Sequence, residues 1–287
     1  MRFGVATVPT EYSLSITELA RAAEERGFES LWLPEHTHIP IPPDGVVRSP
    51  TGDELPIDYR HMADPFTSLS AAAAVTTRLM LGTCICLVNQ HHPIALAKQV
   101  ATLDRLSDGR VLFGVGAGWN VPEMQNHGVE FADRWRQTVE RVEALKAIWT
   151  QERASFSGEF VRFGPLWSYP KPVQTPHPPI LLGTLDTPFG REQVARHGDG
   201  WLPLTFEVEH TRRSIEGVRA RMRAHGRDDA KLAVSLLFLE LKDQSEAALL
   251  AARELGVERA ILRLPTEQDS VVLAHLDRTA GLIARVH

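Results

Sequence analysis

Short apolar runs alternate along the chain with longer segments whose apolar residues recur at helical spacing. Residues 2–8, 30–34, 79–85, 111–117, 179–183, 199–204, 232–238 and 259–264 are compact apolar runs bounded by glycine, proline or charge, the pattern of buried strands. Amphipathic or apolar helical patterns cover 15–28, 65–77, 93–107, 132–150, 188–197, 208–225, 245–255 and 267–284. In the first of these Leu19, Ala22, Ala23 and Arg26 fall at helical spacing and Gly27 marks a stop. Asp64 followed by Pro65 reads as an N-cap with proline at the first helical position.

Eight strand–helix pairs in uninterrupted alternation imply a parallel sheet. A doubly wound open sheet shares that rhythm, but the count of eight is the arithmetic of a closed (β/α)8 TIM barrel with insertions. A single domain over 1–287 is expected, interrupted twice. The stretch 37–62 is rich in proline, glycine and aspartate without a period and predicts a long loop over the pocket. Residues 154–178 predict a short hairpin followed by a proline-rich connection.

Composition narrows the partners. The net charge of -5 argues against a general nucleic-acid or membrane surface and leaves small molecules as the expected ligands. No apolar run reaches the roughly 18 residues of a membrane span. The first residues lack the apolar core of a signal peptide. The only cysteines, Cys84 and Cys86, share a face if the strand is regular, and a disulfide between them would be strained. A reducing, cytoplasmic setting follows as the expectation.

In a (β/α)8 barrel the chemistry sits where strands end. Here the strand ends read "PEHTH", "CICLVNQHH", "GVGAGWNVPEM" and "LLGTLDT". Glu35 and His36 at the second strand can bind a polar edge or handle a proton. His36 and His38 have the spacing of two metal ligands, as in metal-dependent hydrolase barrels, but strands 5, 6 and 8 supply no histidine to complete such a set. "GVGAG" at 114–118 fails the dinucleotide fingerprint, because the third glycine position is Trp119 or Val121. Two readings of it stay open. Gly116 and Gly118 let a flat ring approach with Trp119 and Asn120 against it, or they are a strand exit beside a packed Trp119. Gly183, Thr184 and Thr187 suit a phosphate cradle before a helix, whereas Asp186 would repel an anion.

The blocks "ARAAEERGFESLWLPEHTHIP" (20–40), "PKPVQTPHPPILLG" (170–183), "ARHGDGWLP" (195–203) and the long stretch 63–119 resemble the luciferase-like monooxygenase superfamily, especially its branch that uses coenzyme F420. The resemblance implies a barrel, usually a homodimer, with FMN or the deazaflavin F420 across its mouth. It implies that His36 lies near the reactive ring and that Cys84-Ile85 forms a non-prolyl cis peptide behind it. Thr83, Cys84, Ile85, Asn89, Gly116, Gly118, Trp119, Asn120, Gly183 and Thr184 then become the expected cofactor contacts. Several F420 enzymes carry a glutamate just after the strand-4 glycines, where this chain has Trp119, so its absence puts His36 or Glu35 forward as the catalytic proton-handling group. The expected activity is F420-dependent hydride transfer with a small organic substrate. The alternative is an FMN-dependent monooxygenase, ahead of a metal-dependent hydrolase or a non-catalytic flavin-binding protein.

Overall fold

Eight parallel strands close on themselves in a computed structural model that describes residues 1–49, 52–203, 208–239 and 241–286. They are β1 (Arg2–Ala6), β2 (Ser30–Leu33), β3 (Met80–Thr83), β5 (Val111–Gly116), β8 (Ile180–Thr184), β9 (Gly200–Pro203), β10 (Ala233–Phe238) and β11 (Arg259–Arg263). Each pairs with the next, β3 pairs with β5, and β11 returns to β1, so no edge is left among them. The barrel reading is therefore correct and the open sheet is not. Leu204, the expected end of the sixth strand, lies outside the described residues, as do Pro50 and Thr51 of the long loop.

Alternation along the strands makes two cores. Ala6, Trp32, Leu112, Leu181, Leu202 and Ile261 point inward and fill the barrel. Val5, Leu31, Leu33, Phe113, Leu182 and Val234 point outward and pack beneath the helices. Trp32 is the largest inner side chain, and glycine makes room for it: a Cβ on Gly82 would lie 2.2 Å from its ring. Below it, at the strand starts, Arg259 closes the barrel with two bonds to Glu29 (2.7 and 2.6 Å) and one to Ser235 (3.1 Å). The polar end left for a site is the other one.

The helices follow the predicted order: α1 (Ile16–Glu25), α2 (Pro65–Val75), α3 (Pro93–Leu106), α5 (Arg134–Thr150), α6 (Pro188–His197), α7 (Val208–Ala224), α8 (Glu246–Glu254) and α9 (Asp269–Val286). Asp64 caps α2 by accepting the Thr67 N–H at 2.7 Å. One short helix was not predicted: α4 (Val121–Asn126), directly after the glycine-rich exit of β5. The hairpin β6 (Ala154–Ser157) and β7 (Arg162–Leu166) is antiparallel. Among the described residues no helix is long and apolar enough to cross a membrane.

The expected strand 79–85 is not continuous. It stops at Thr83 and resumes as β4 (Cys86–Leu87), with a cis peptide at Cys84-Ile85 between the two pieces. This overturns the expectation that the cysteines share a face. Alternation holds only along unbroken strand, and here Cys84 and Ile85 both join the inner cluster while Cys86 joins the outer one.

Candidate active site

Strand parity sorts the residues after β2. Leu31 and Leu33 face out, and Glu35 continues on that side. Its Oε2 accepts the Leu87 N–H at 2.6 Å, and its Oε1 pairs with His91 Nε2 at 2.7 Å. Glu35, Cys86 and His91 form a buried polar knot in which their ligand-capable atoms lie within 4.8 Å of one another. Phe66 packs edge-on against His91. Burial of the imidazolium opposes its charge most strongly, yet the Glu35 bond and charge, with Asp64, hold the His91 pKa above its ordinary value. The carboxyl expected to be catalytic is thus engaged in tying β2, β4 and the turn before α3 together.

His36 takes the other side. Its Nδ1 lies 2.7 Å from Glu123 Oε2, and the Thr37 N–H donates to Glu123 Oε1 at 3.2 Å. Glu123 is only 1% exposed. A carboxylate has no proton to give, so Nδ1 carries the hydrogen and Nε2 is the nitrogen left for exchange. Glu123 is placed by α4. Asn120 Oδ1 accepts the Glu123 N–H at 3.4 Å as the helix cap, with proline at the second helical position. Trp119 meets the His36 ring edge-on at 5.5 Å between centroids, and Tyr59, from the long loop, lies at 5.6 Å. These three rings form one wall of the mouth.

The floor is apolar. Ile85 leans across the barrel: a Cβ on Gly116 would meet its Cδ1 at 2.0 Å, and one on Gly183 its Cγ2 at 2.8 Å. The two glycines therefore make room for the Ile85 side chain. Gly118 has a different role, since its φ of +82° is the left-handed turn that leads from β5 to α4. Cys84 and Ile85 are both partly exposed at the mouth. Burial pushes the Cys84 thiol up to about 12 and the Cys86 thiol well above its usual value, so neither is a ready nucleophile at neutral pH.

Other expected contacts serve the scaffold. Thr83 donates its hydroxyl to the Gly114 carbonyl at 2.7 Å. The Asn89 amide donates to Ala117 O, Arg134 O and Thr138 Oγ1. Thr184 lies on the outer face of β8 and accepts from Trp201 Nε1 at 3.0 Å. Thr187 caps α6, and Asp186 is held by Arg191 and Ser214. His38 turns away from His36 to Asn126, at 2.8 Å, so the H-x-H pair does not converge.

The structure thus brings His36, Cys84, Ile85, Gly116, Trp119 and Gly183 to one mouth and sets Glu35 behind its wall. Glu123 was missed. Its signal was present: Asn120-Val121-Pro122-Glu123 is an N-cap, a proline in the first turn and a glutamate at the third helical position.

Sequence comparison agrees with this geometry. A protein of Mycobacterium tuberculosis described as uncharacterized is 39% identical over 288 residues, 99% of each chain. An FMNH2-dependent dimethylsulfone monooxygenase of Pseudomonas putida is 32% identical over 198 residues, 68% of this chain and 53% of that one. An F420-dependent hydroxymycolic acid dehydrogenase of Mycobacterium tuberculosis is 26% identical over 233 residues, 80% of this chain and 59% of that one. The family model of luciferase-like monooxygenases matches residues 1–284, and the chain, an α/β barrel with a histidine–glutamate pair at its mouth, belongs to that family of oxidoreductases and monooxygenases.

Proposed function

We propose that this protein is an F420-dependent oxidoreductase that moves a hydride between the deazaflavin and a small carbonyl or alcohol substrate. The observation that carries the reading is the His36–Glu123 pair, a proton-handling group at the mouth of the barrel. Interconverting an alcohol and a carbonyl moves one hydride and one proton, so the site needs a partner for each. A deazaflavin held at this mouth would supply the hydride chemistry, as donor or acceptor. His36 gives or takes the proton at Nε2 while Glu123 fixes Nδ1–H. Residues of this chain fit a flat ring: Cys84 and Ile85 offer a partly exposed apolar floor, and Trp119 and Tyr59 shield His36 from water. The F420-dependent relative supports the deazaflavin.

A second reading has its own support. The FMNH2-dependent relative shares more identity, which favours a flavin monooxygenase in the same seat. Titrating the purified protein with F420 and, separately, FMN, followed by fluorescence quenching, separates the two. Saturation by F420 with FMN at least about tenfold weaker is the expected result. The reverse order would move the protein to the monooxygenases, and binding of neither would overturn both readings. His36→Asn then tests the proton role. Its amide N–H can replace Nδ1–H toward Glu123 but leaves nothing in place of Nε2. Turnover of reduced F420 with a ketone panel should fall by roughly 10²-fold or more, with the melting temperature nearly unchanged.

A further inference from the structure

Beside the mouth, between the end of the β4 segment and the tip of the β6–β7 hairpin, lies a cavity of about 360 Å3. Arg141, Arg162, His91 and His92 line it, and no carboxylate does. Arg141 is the decisive group. Its Nη1 donates to Gln137 Oε1 at 2.8 Å, and its Nε is buried without an acceptor. Burial lowers its pKa, which Glu140 opposes. Yet the Glu140 carboxylate is spent on the backbone N–H groups of Glu159, Phe160 and Val161 at the hairpin tip. A half-buried guanidinium with a neutral amide as its bonded partner is costly unless something anionic joins it.

Neighbouring groups point the same way. Gln90 Nε2, on the same cavity, is also buried without an acceptor. The α3 helix starts here at Pro93, and no side chain caps its free N–H groups. His91 is held toward its cationic form by Glu35, which lies behind it. Asn89 Oδ1 adds one buried acceptor without a donor. Opposite this polar side, Phe160, Val161 and Phe163 form an apolar wall. We infer that this cavity is an anion site that binds an acidic oxygen group, a phosphate monoester before a carboxylate, carried on an apolar body. A phosphate monoanion matches the set: its oxygens meet Arg141 and Gln90, and its one O–H meets Asn89.

The site is tested on the full chain without cofactor, so its failure is distinct from failure of the F420 reading. Phenyl phosphate, benzoate and the neutral benzyl alcohol are titrated by calorimetry at fixed ionic strength. Phenyl phosphate should saturate, benzoate more weakly, and benzyl alcohol not at all. Arg141→Gln should weaken phenyl phosphate by about tenfold or more, the loss of a charge-assisted contact. Equal affinity for the alcohol, absence of saturation, or full affinity in a folded Arg141→Gln would overturn the inference. If Arg141→Gln does not fold, Arg162→Ala on the exposed hairpin decides: a few-fold loss supports the site, and unchanged affinity overturns it. Adding saturating cofactor distinguishes the source among supporting outcomes. Displacement of phenyl phosphate assigns the acid group to the cofactor, and simultaneous binding assigns it to a substrate.

Discussion

At the scale of single residues, the site turns on which nitrogen of His36 holds the hydrogen. Glu123 answers that by accepting from Nδ1 while its other oxygen accepts from Thr37 N–H. Glu123→Gln keeps the size of the side chain but not this arrangement. The Thr37 N–H still requires the carbonyl oxygen, so the new amide N–H faces Nδ1 and forces the opposite tautomer. The expected outcome is a fall in kcat of about 10- to 100-fold with KM little changed. The 15N shifts of the His36 ring should exchange between Nδ1 and Nε2. Unchanged ring shifts would show that Glu123 does not set the tautomer. The place of His36 was legible from the sequence because it follows a barrel strand directly, at the end where polar side chains meet. Glu35 was equally visible, but which of the two adjacent residues faces the mouth depends on strand parity continuing past Leu33, and that parity turns Glu35 toward Leu87 and His91.

Among the elements, the seam between β3 and β5 closes the barrel through Leu81 opposite Val111 and Gly82 opposite Leu112. Just past it, a Cβ on Gly114 would stand 2.0 Å from the Thr83 carbonyl oxygen and 2.8 Å from Leu202 Cδ1. The first of these is backbone and has little room to yield. Gly114→Ala should therefore cost about 1–3 kcal/mol, a drop of several degrees in melting temperature. Gly164→Ala, in the hairpin with open space around it, should melt like the parent. A comparable loss in both would remove the seam as the cause. The strand itself was predictable from its apolar run. Its need for glycine was not, because the atom that forbids a side chain belongs to another strand.

For the molecule as a whole, the buried Glu35–His91 pair couples β2, β4 and the start of α3, and it makes stability depend on pH. The His91 pKa is raised in the fold, because Glu35 and Asp64 outweigh the burial that opposes its charge. A raised folded pKa means stability that is fully present below the unfolded value of about 6.5 and lost as pH rises through the higher folded value. Melting curves taken from below the unfolded value of about 6.5 upward into alkaline pH should show a decline in the parent that is flattened in His91→Gln. An identical slope in the variant would assign the pH dependence to other groups.

The chain alone determined the parallel β/α alternation and, by its count of eight, favoured the barrel over an open sheet. Eight apolar runs separated by eight helical patterns admit few parallel arrangements, and hydrophobic periodicity is a local property readable without coordinates. It also determined that polar and aromatic residues gather at strand ends, and hence at which end of the barrel to look. Tertiary structure alone decided which of them meet. The partner of His36 lies 87 residues away, on a six-residue helix too short to announce itself by period. Gly116 and Gly183 proved to be spaces for Ile85, and the break between Thr83 and Cys86 sent the two cysteines to opposite faces. Each of these outcomes depends on atoms that are distant in sequence and adjacent in space, where packing, and no local pattern, sets the distance.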